Sequence, residues 1–311
     1  SFVLGGVRGR AGEPQLASTL DEVDCAACLS PKVSAPQQAI VVKLLEASLR
    51  LHTCLKRAAG EIFRTLGLHD NTQQHRVWPT LLALQEVGSS AELLHAPADQ
   101  SPPKLRSLPS AGAQIVMTLL RFPKETVQPL SAGLSKLLDP QVLTALACEA
   151  RTARVLEAAL APSSALEKKL RMKLARSFQG LLAKLGPHPV GGWVCAAVWR
   201  CSLGHATLRK AFLEELLAVE QQLRKQNFAV WKVCGLNQAK VRGEEWNQQQ
   251  KKVSKAQRLF DDLLEGGAAE AAKAAVEARR RAEEAAADRE AEVLKDPMVA
   301  GLLPAPEVKE P

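Results

Sequence analysis

The amino-acid sequence predicts an all-α protein: a curved solenoid of helical repeats, followed by a long C-terminal helix and a disordered tail. The first observation is a five-residue apolar pattern, the pentad, that recurs at intervals of 36 to 40 residues. The second is an alternation of short apolar and longer amphipathic helices, separated by Pro or Gly. Repeats of this length are typical of stacked helical units, which present a long binding surface. The four pentads are Ala113–Met117, Ala153–Glu157, Gly192–Ala196 and Phe228–Lys232.

The composition agrees with this fold class. The chain has 311 residues, of which 46% are apolar and 4% aromatic, and it contains no Tyr. Ala and Leu dominate, which favours packed helices over sheets. A chain of this length can bury a large hydrophobic surface. Because the sequence starts at Ser1 and lacks an initiating Met, we expect further residues upstream.

Helices before residue 110 are predicted from apolar stripes that end at Gly or Pro. One begins at Ile40, after Pro36, and a second runs from Leu51 to Leu66, where Gly67 ends it. A short helix is expected around Thr80. The polar, Pro-containing stretch that follows, up to residue 109, is interpreted as a loop.

From residue 110 onward the predicted helices become regular. A capping-box pattern at Ser164–Glu167 predicts the start of a helix that ends at Phe178. A long helix is predicted from Asn227 to Leu264, with weak interruptions at Gly235 and Gly243. The remaining predicted helices are Gly112–Leu120, Leu130–Leu138, Arg151–Ala161, Trp193–Cys201 and Thr207–Ala218.

These patterns divide the chain into four segments. Residues 1–33 are predicted to be weakly ordered, and residues 34–109 to be divergent helical repeats with a loop. Residues 110–265 hold the regular repeats and the long terminal helix. Within residues 266–311, Ala268–Val293 is an Ala/Glu/Arg-rich stretch with almost no large apolar side chains, and four Pro residues follow it. This last segment is expected to be an exposed helix and a disordered tail, because it has too few apolar side chains to pack.

Charge is distributed unevenly along the chain. The net charge of +8 divides into +2 for residues 1–163, +12 for residues 164–260 and −6 for residues 261–311. No apolar run reaches the roughly 18 residues that span a bilayer, and no secretory signal pattern is present. We therefore expect no membrane partner and favour a nucleic acid for the basic segment. The alternative is that these cations are ordinary solvated helix faces.

Cysteine and histidine usage gives no indication of a catalytic or metal site. The seven cysteines are scattered, which favours free thiols in a reducing compartment. Cys25 and Cys28 form a lone CxxC pair without the second pair that a zinc site needs. The six histidines are dispersed, and no phosphate loop, HExxH helix or nucleophile elbow is present. The sequence thus predicts a protein that is not an enzyme and needs no metal or cofactor; an enzyme with a dispersed active site is the remaining alternative.

The pentads suggest how such a surface binds its partner. Helical repeats can read single-stranded RNA one base per unit, with side chains from one exposed face of the same helix. The first, second and fifth places of each pentad are expected to share that face. Trp193 and Phe228 can stack on bases, unless they belong to the core. The candidate RNA contacts in the pentads are Ala153, Arg154, Glu157, Gly192, Trp193, Ala196, Phe228 and Lys232. The candidate cations are Lys168, Lys169, Arg171, Lys173, Arg209, Lys210, Arg224 and Lys225.

Ala153–Glu157 resembles the Ser-Arg-Val-Ile-Glu pentad of the Pumilio, or PUF, repeat. The C-terminal half is similar to the nucleolar Pumilio-like family of nucleolar protein nine over about residues 112–265. The residues that carry this resemblance are Ala153–Ala158, Val194–Trp199, Leu208–Lys210 and, above all, Gly243–Gln250. Ala113, Gly192, Ala196 and Ala229 depart from the polar pentad residues of the family, which favours recognition through the RNA backbone and shape.

The resemblance implies an RNA-binding factor of small-subunit ribosome assembly that contacts precursor rRNA in the nucleolus. It also implies that the chain is the C-terminal part of a longer array, with ribosome-assembly proteins as further partners. The main alternative is a helical-repeat scaffold subunit of a large ribonucleoprotein that makes mainly protein contacts. The scarcity of polar pentad residues favours the scaffold, and the basic segment favours RNA.

Overall fold

The computed structural model describes residues 12–29, 33–68, 76–84, 108–256 and 259. The chain divides into two compact units, Ser1–Lys251 and Lys252–Pro311. Every regular element in the described part of the chain is helical, which confirms the predicted all-α class. In the second unit, residues 252–256 and 259 are described, and they are helical.

The described part of the first unit is built from a series of helices. In chain order they are α1 (Gly12–Glu22), α2 (Cys25–Leu29), α3 (Ala35–Leu51), α4 (Leu55–Thr65), α5 (Val77–Ala83), α6 (Ser110–Leu119), α7 (Gln128–Gly133), α8 (Pro140–Cys148), α9 (Ala150–Leu160), α10 (Lys168–Arg176), α11 (Leu182–Leu185), α12 (Gly191–Cys201), α13 (Ala206–Ala218), α14 (Glu220–Gln226), α15 (Phe228–Val233) and α16 (Leu236–Val241). A 3-10 helix, Leu134–Leu138, follows α7, and residues 243–251 form a last helix, α17.

Five helices pack one on the next and form a ladder: α3, α6, α9, α12 and α15. The last four carry the predicted pentads. The third and fourth places of the pentads explain the packing, because their apolar side chains are buried between neighbouring repeats. Ile115, Val155 and Val194, for example, are fully or almost fully buried. Burial of an aliphatic side chain contributes about 1.5 to 3 kcal/mol. Each helix of the ladder, which we call a rung, is therefore stabilised by the helix packed against it.

The remaining helices lie beside the ladder and complete each unit. Helix α8 packs on α9, α10 packs on α9 and α12, and α13 packs on α11 and α14. Asp139 caps α8 by accepting the backbone N–H groups of Gln141 and Val142 at 2.8 and 3.2 Å. Glu149 caps α9 in the same way. These caps satisfy N–H groups that have no partner within their own helix.

Residues 12–29, predicted to be weakly ordered, form helices α1 and α2. Leu16, Leu20 and Leu29 are buried in the core, and both helices pack on α3. Leu16 and Leu20 are four residues apart and therefore share one helical face. The prediction failed because these helices are short and carry few large apolar residues. The Gly5–Arg10 fragment and the predicted tail, residues 266–311, lie outside the described residues.

Two predicted helix boundaries were wrong. The capping box at Ser164–Glu167 does not form: the Ser164 hydroxyl accepts the N–H of Leu166 in a turn, and α10 begins at Lys168. The long helix predicted from Asn227 is broken into α15, α16 and α17. Gly235 adopts a positive φ of 64° before α16, a conformation that interrupts a right-handed helix at little cost for Gly.

All seven cysteines are free thiols, as the scattered count predicts. Burial raises the pKa of the Cys25 and Cys28 thiols. A raised pKa keeps a thiol protonated and unreactive. The CxxC pair is therefore part of the N-terminal packing.

Candidate nucleic-acid interface

The second place of each pentad is the exposed place. Gln114, Arg154, Trp193 and Ala229 all reach solvent, and the Trp193 side chain is 43% exposed. Trp193 is thus not a core residue. Because the pentad helices stack in order, their second places form a row along the ladder, with one side chain per repeat. We call this the second-place row.

In three of the four pentads the first place does not share that exposure, contrary to the sequence-based expectation; the exception is Phe228. Ala113 and Ala153 are buried, and so is Gly192. At Gly192 the reason is close packing, because a Cβ there would lie 1.8 Å from Nδ2 of Asn227. The Asn227 amide donates to the carbonyl oxygen of Gly186 at 3.1 Å, which holds it against Gly192.

The fifth place varies along the ladder. Glu157 is half-buried, Ala196 is buried and Lys232 is exposed. The expectation of an exposed face at Ala153, Gly192 and Ala196 is therefore corrected: these small residues pack between repeats. No side chain at these three positions is accessible to an RNA base, so the predicted contacts cannot form there.

Arg154 and Trp193 come together across two successive repeats. The Arg154 Cζ atom lies 4.7 Å from the centroid of the Trp193 ring, which is a cation–π contact. Arg154 Nε also lies 4.0 Å from a carboxylate oxygen of Glu157, one turn further along α9. The Arg154 side chain is 58% exposed. This places a flat, cationic, solvent-facing surface in the middle of the second-place row.

Glu157 supports this cluster from a half-buried position. Burial raises the pKa of its carboxyl group, and the positive charges of Arg154 and Arg200 oppose that rise. Its carboxylate lies at ion-pair distance from Arg154 on the same helix. As an RNA contact, Glu157 remains a prediction.

A second aromatic cluster lies at the last rung of the ladder. Phe228 is 55% exposed and is therefore not a core residue. Its ring stacks on Trp231, with ring centroids 5.0 Å apart and planes inclined by 24°. The Arg224 guanidinium lies 5.5 Å from the Trp231 centroid. Lys232 follows one turn after Phe228 on the same helix and is exposed.

Most of the predicted cations are exposed, but they belong to different helices. Those of α10 lie beside the ladder, since α10 packs on α9 and α12. Lys210 on α13 lies 4.0 Å from Glu214. Arg171 is only half-exposed and donates to the carbonyl oxygen of Ala161 at 2.9 Å. The exposed predicted cations are Lys168, Lys169, Lys173, Lys210, Arg224, Lys225 and Lys232.

Arg209 is the predicted cation whose position must be corrected. It is buried, with its guanidinium 4.3 Å from the centroid of the Trp199 ring. It donates a short hydrogen bond to the side chain of Gln250 on α17. Trp246, also on α17, stacks on Trp199 at a centroid distance of 6.2 Å. Burial lowers the pKa of Arg209. Arg209 therefore links α13 to α17, the last helix of the unit, and does not face solvent.

The structure also shows a further pentad, on α3, that was not predicted from the sequence. On α3, Ala39–Lys43 has the same arrangement, with Ile40 exposed, Val41 and Val42 buried, and Lys43 exposed. Helix α3 packs directly on α6. The signal was available, because Ala39 precedes Ala113 by 74 residues, which is close to two repeat lengths. Trp231 was missed as well, because it occupies the fourth place of its pentad, an apolar position that suggests core.

Within the described residues, no three His, Cys, Asp or Glu side chains come together in a way that would hold a metal ion. Among the helices of that same part of the chain, none combines the length and the apolar character needed to cross a membrane.

Stacked helical units that each expose the second place of a pentad define a helical-repeat protein with one extended surface. The sequence profile of the NOP9-like PUF repeat domain matches residues 1–228. The chain belongs to this family, a family of RNA-binding repeat proteins. The match includes the N-terminal helices. In that part of the chain the sequence pattern alone indicated helices but no residues typical of the family. The match ends before Gly243–Gln250, the stretch that carried most of the resemblance.

Curated relatives have the same family name. Nucleolar protein 9 of Pyrenophora tritici-repentis is 31% identical over 111 residues, which are 35% of this chain and 16% of that protein. Nucleolar protein 9 of Ajellomyces dermatitidis is 29% identical over 138 residues, or 43% of this chain and 20% of that protein. The chain thus spans at most a fifth of the length of these relatives.

Solved structures share the fold. The structure of APUM23 with the RNA GGAGUUGACGG has a TM-score of 0.67 and 20% sequence identity, and the similarity covers 80% of this chain and 44% of that chain. A second complex of APUM23, with GGAAUUGACGG, has the same TM-score and coverage. At this identity the likeness supports the repeat fold alone.

Proposed function

We propose that this protein binds single-stranded RNA along the second-place row and does so without catalysis. The RNA in this proposal is precursor rRNA of the small ribosomal subunit, and the site of action is the nucleolus. Membership of an RNA-binding repeat family supports RNA as the partner, and the nucleolar name of the relatives supports the site of action. The binding of RNA by APUM23, which has the same fold, is consistent with it.

The single observation that carries the proposal is the Arg154–Trp193 contact. A guanidinium plane and an indole ring, 4.7 Å apart and open to solvent, form a surface on which unpaired bases can stack. Stacking on an aromatic side chain contributes about 1 to 3 kcal/mol per base and tolerates any base. The Arg209–Trp199 pair has similar geometry but is buried, so it offers no such surface.

Charge supplies the second part of the interaction. The exposed lysines and arginines between Lys168 and Lys232 can contact phosphates, and their contribution does not depend on sequence. With Ala153, Gly192 and Ala196 buried, few side chains remain to read base edges. We therefore expect recognition by stacking and by the phosphate backbone, with modest sequence preference.

A titration across salt tests this proposal. The complete 311-residue chain is titrated into fluorescein-labelled GGAGUUGACGG and into an unrelated RNA of the same length, between about 50 and about 200 mM salt. Each phosphate contact on a single strand gives a slope of about −0.7 in log K against log salt, so several contacts give a steep decline. A flat salt dependence, or no binding at about 10 μM protein, contradicts RNA binding.

The alternative function, a scaffold that contacts mainly proteins, is separated by crosslinking. The chain is crosslinked in a nucleolar extract, and adducts to RNA and to protein are mapped onto the helices. Adducts to RNA on α9 and α12 support the proposal. Adducts to protein along the second-place row, without RNA adducts, support the scaffold.

A further inference from the structure

The first turn of α12 carries the exposed Trp193 ring and is held by the turn that precedes it. Trp193 is 43% exposed, so packing of the ring alone does not fix its position. The first N–H groups of a helix have no partner within that helix. Here the Gly192 N–H donates to the carbonyl oxygen of His188 at 2.9 Å. The Nδ1 atom of His188 accepts the N–H groups of Val190 and Gly191 at 3.3 and 3.0 Å. The backbone that carries Trp193 therefore takes its position from the turn at His188.

Asn227, at the start of the next rung, holds this turn in place. Its Nδ2 atom donates to the carbonyl oxygen of Gly186 at 3.1 Å and to that of His188 at 3.5 Å. The amide also lies directly against the first turn of α12, because a Cβ at Gly192 would be 1.8 Å from Nδ2. Asn227 is itself fixed through its backbone N–H, which donates to the carbonyl oxygen of Leu223 at 2.8 Å. A side chain of one rung thus anchors the turn from which the helix of the preceding rung begins.

The Arg154–Trp193 contact is sensitive to that anchor. The Arg154 Cζ atom lies 4.7 Å from the Trp193 centroid, and cation–π attraction acts within about 6 Å. A displacement of the first turn by about 1 to 2 Å is therefore enough to separate the pair. Both side chains are exposed, so no surrounding core returns them to contact. A binding surface keeps its geometry only when a second set of contacts holds its residues in place.

We infer that Asn227 is a positioning residue for RNA binding: through the carbonyl groups of Gly186 and His188 it holds the first turn of α12, and so keeps Trp193 against Arg154 before RNA binds. The inference rests on the proposed function and adds to it a residue that lies outside the pentads. Asn227 makes no contact with RNA in this account, and its whole effect passes through Trp193. A stacking surface that is already formed binds more tightly, because no free energy of binding is lost in ordering it.

Removing the amide donor tests the inference. Asn227→Asp keeps the size of the side chain but places a carboxylate against two carbonyl oxygens, which releases the turn. We expect RNA binding by the complete chain to weaken about fivefold, the lower end of the range for one stacked base. Asn227→Ala removes the donor without adding charge, and the same direction is expected. Asn237→Asp, at an exposed asparagine of α16, is the charge-matched control and weakens binding by less than about twofold.

A double-mutant cycle separates positioning from direct contact. The loss caused by Asn227→Asp is measured in the wild-type chain and again in the Trp193→Ala variant, with helicity and Tm checked in each. If Asn227 acts only through Trp193, the second loss disappears, because there is no ring left to position. A side chain that binds RNA itself, or one that destabilises the whole array, lowers affinity in both backgrounds.

A fluorine NMR measurement follows the ring directly and needs no RNA. The chain is labelled with 5-fluorotryptophan, and the Trp193 resonance is assigned by its loss in Trp193→Phe. In Asn227→Asp this resonance is expected to shift toward its position in Arg154→Ala, where the cation is absent. The resonance of Trp78, whose buried indole N–H donates to the carbonyl oxygen of Leu130 at 2.9 Å, stays in place and reports an intact core.

The outcomes distinguish this inference from the proposed function. If the wild-type chain binds no RNA, the proposed function fails, and the fluorine spectra alone still decide whether Asn227 positions Trp193. With RNA binding established, the inference is wrong if Asn227→Asp behaves as Asn237→Asp, or if it costs the same affinity with and without the Trp193 ring. An unshifted Trp193 resonance in Asn227→Asp also overturns it.

Discussion

Helix α12 carries two tryptophans, six residues apart, and each contacts an arginine from another helix. Trp193 lies 4.7 Å from the Arg154 guanidinium carbon, and Trp199 lies 4.3 Å from that of Arg209. Trp193 is 43% exposed, whereas Trp199 is 4% exposed. Two pairs of the same chemistry on one helix therefore have different surroundings: one faces solvent and the other is enclosed.

The difference arises from what packs on each end of α12. Around Trp199 and Arg209, α17 contributes Trp246 and Gln250, which exclude water and complete the packing. Around Trp193, the neighbouring rungs leave the second place open. A tryptophan–arginine pair thus indicates a binding surface only where no later element covers it. The enclosed pair stabilises the end of the array, and the open pair is available to a ligand.

The largest expected effect is on the enclosed pair. Trp199→Ala removes a buried ring from between Arg209 and Trp246, and we expect a loss of about 3 to 5 kcal/mol in the free energy of unfolding. Denaturant unfolding followed by circular dichroism measures it. Trp193→Ala, the matched control on the same helix, is expected to cost less than about 1 kcal/mol because its ring is partly solvated. Equal losses would remove the distinction between the two pairs.

The next effect concerns the open pair. Replacing both Arg154 and Trp193 by Ala is expected to weaken RNA binding by about 2 to 4 kcal/mol if both side chains stack. Fluorescence anisotropy at fixed salt gives the affinity. Arg64→Ala, which removes one exposed cation from α4, is the control and should cost far less. Unchanged affinity in the double variant would show that the open pair does not contact RNA.

The smallest effect separates Arg209 from the exposed cations. Arg209→Ala is expected to lower the free energy of unfolding by about 1 to 2 kcal/mol, through loss of a desolvated cation–π contact, and to leave the salt dependence of RNA binding unchanged. Lys232→Ala should do the opposite: little change in stability, and a slope in log K against log salt that is shallower by about 0.7. A shallower slope in the Arg209 variant would mean that this guanidinium reaches phosphate after all.

The sequence predicted the repeat fold because each unit must bury its apolar face against its neighbours. The period of 36 to 40 residues is the length of one such unit, and the apolar pentad recurs once in each. The pentad on α3 was not predicted because 74 residues, nearly twice the repeat period, separate Ala39 from Ala113. The helix breaks at Gly235 and after Val241 were underestimated, because helix propensity alone does not show where α16 must turn to pack on α13.

The candidate site was only partly predictable. The pentad pattern places Arg154 and Trp193 at equivalent positions, but it leaves open whether Trp193 is exposed or belongs to the core. That they touch one another depends on the distance between rungs, which no single repeat encodes. The burial of Arg209 depends on α17, more than 30 residues further along the chain. A cation in a basic segment cannot be assigned to a surface until the elements that cover it are placed.

Gly192 has a consequence for how this protein can change. Any side chain there would collide with the Asn227 amide, which is itself anchored on the carbonyl of Gly186. A larger residue at position 192 therefore displaces the Asn227 amide from the Gly186 carbonyl, or it must be accompanied by a smaller residue at position 227. Substitutions in two adjacent repeats are thus coupled through packing, and this limits which residues can appear at position 192.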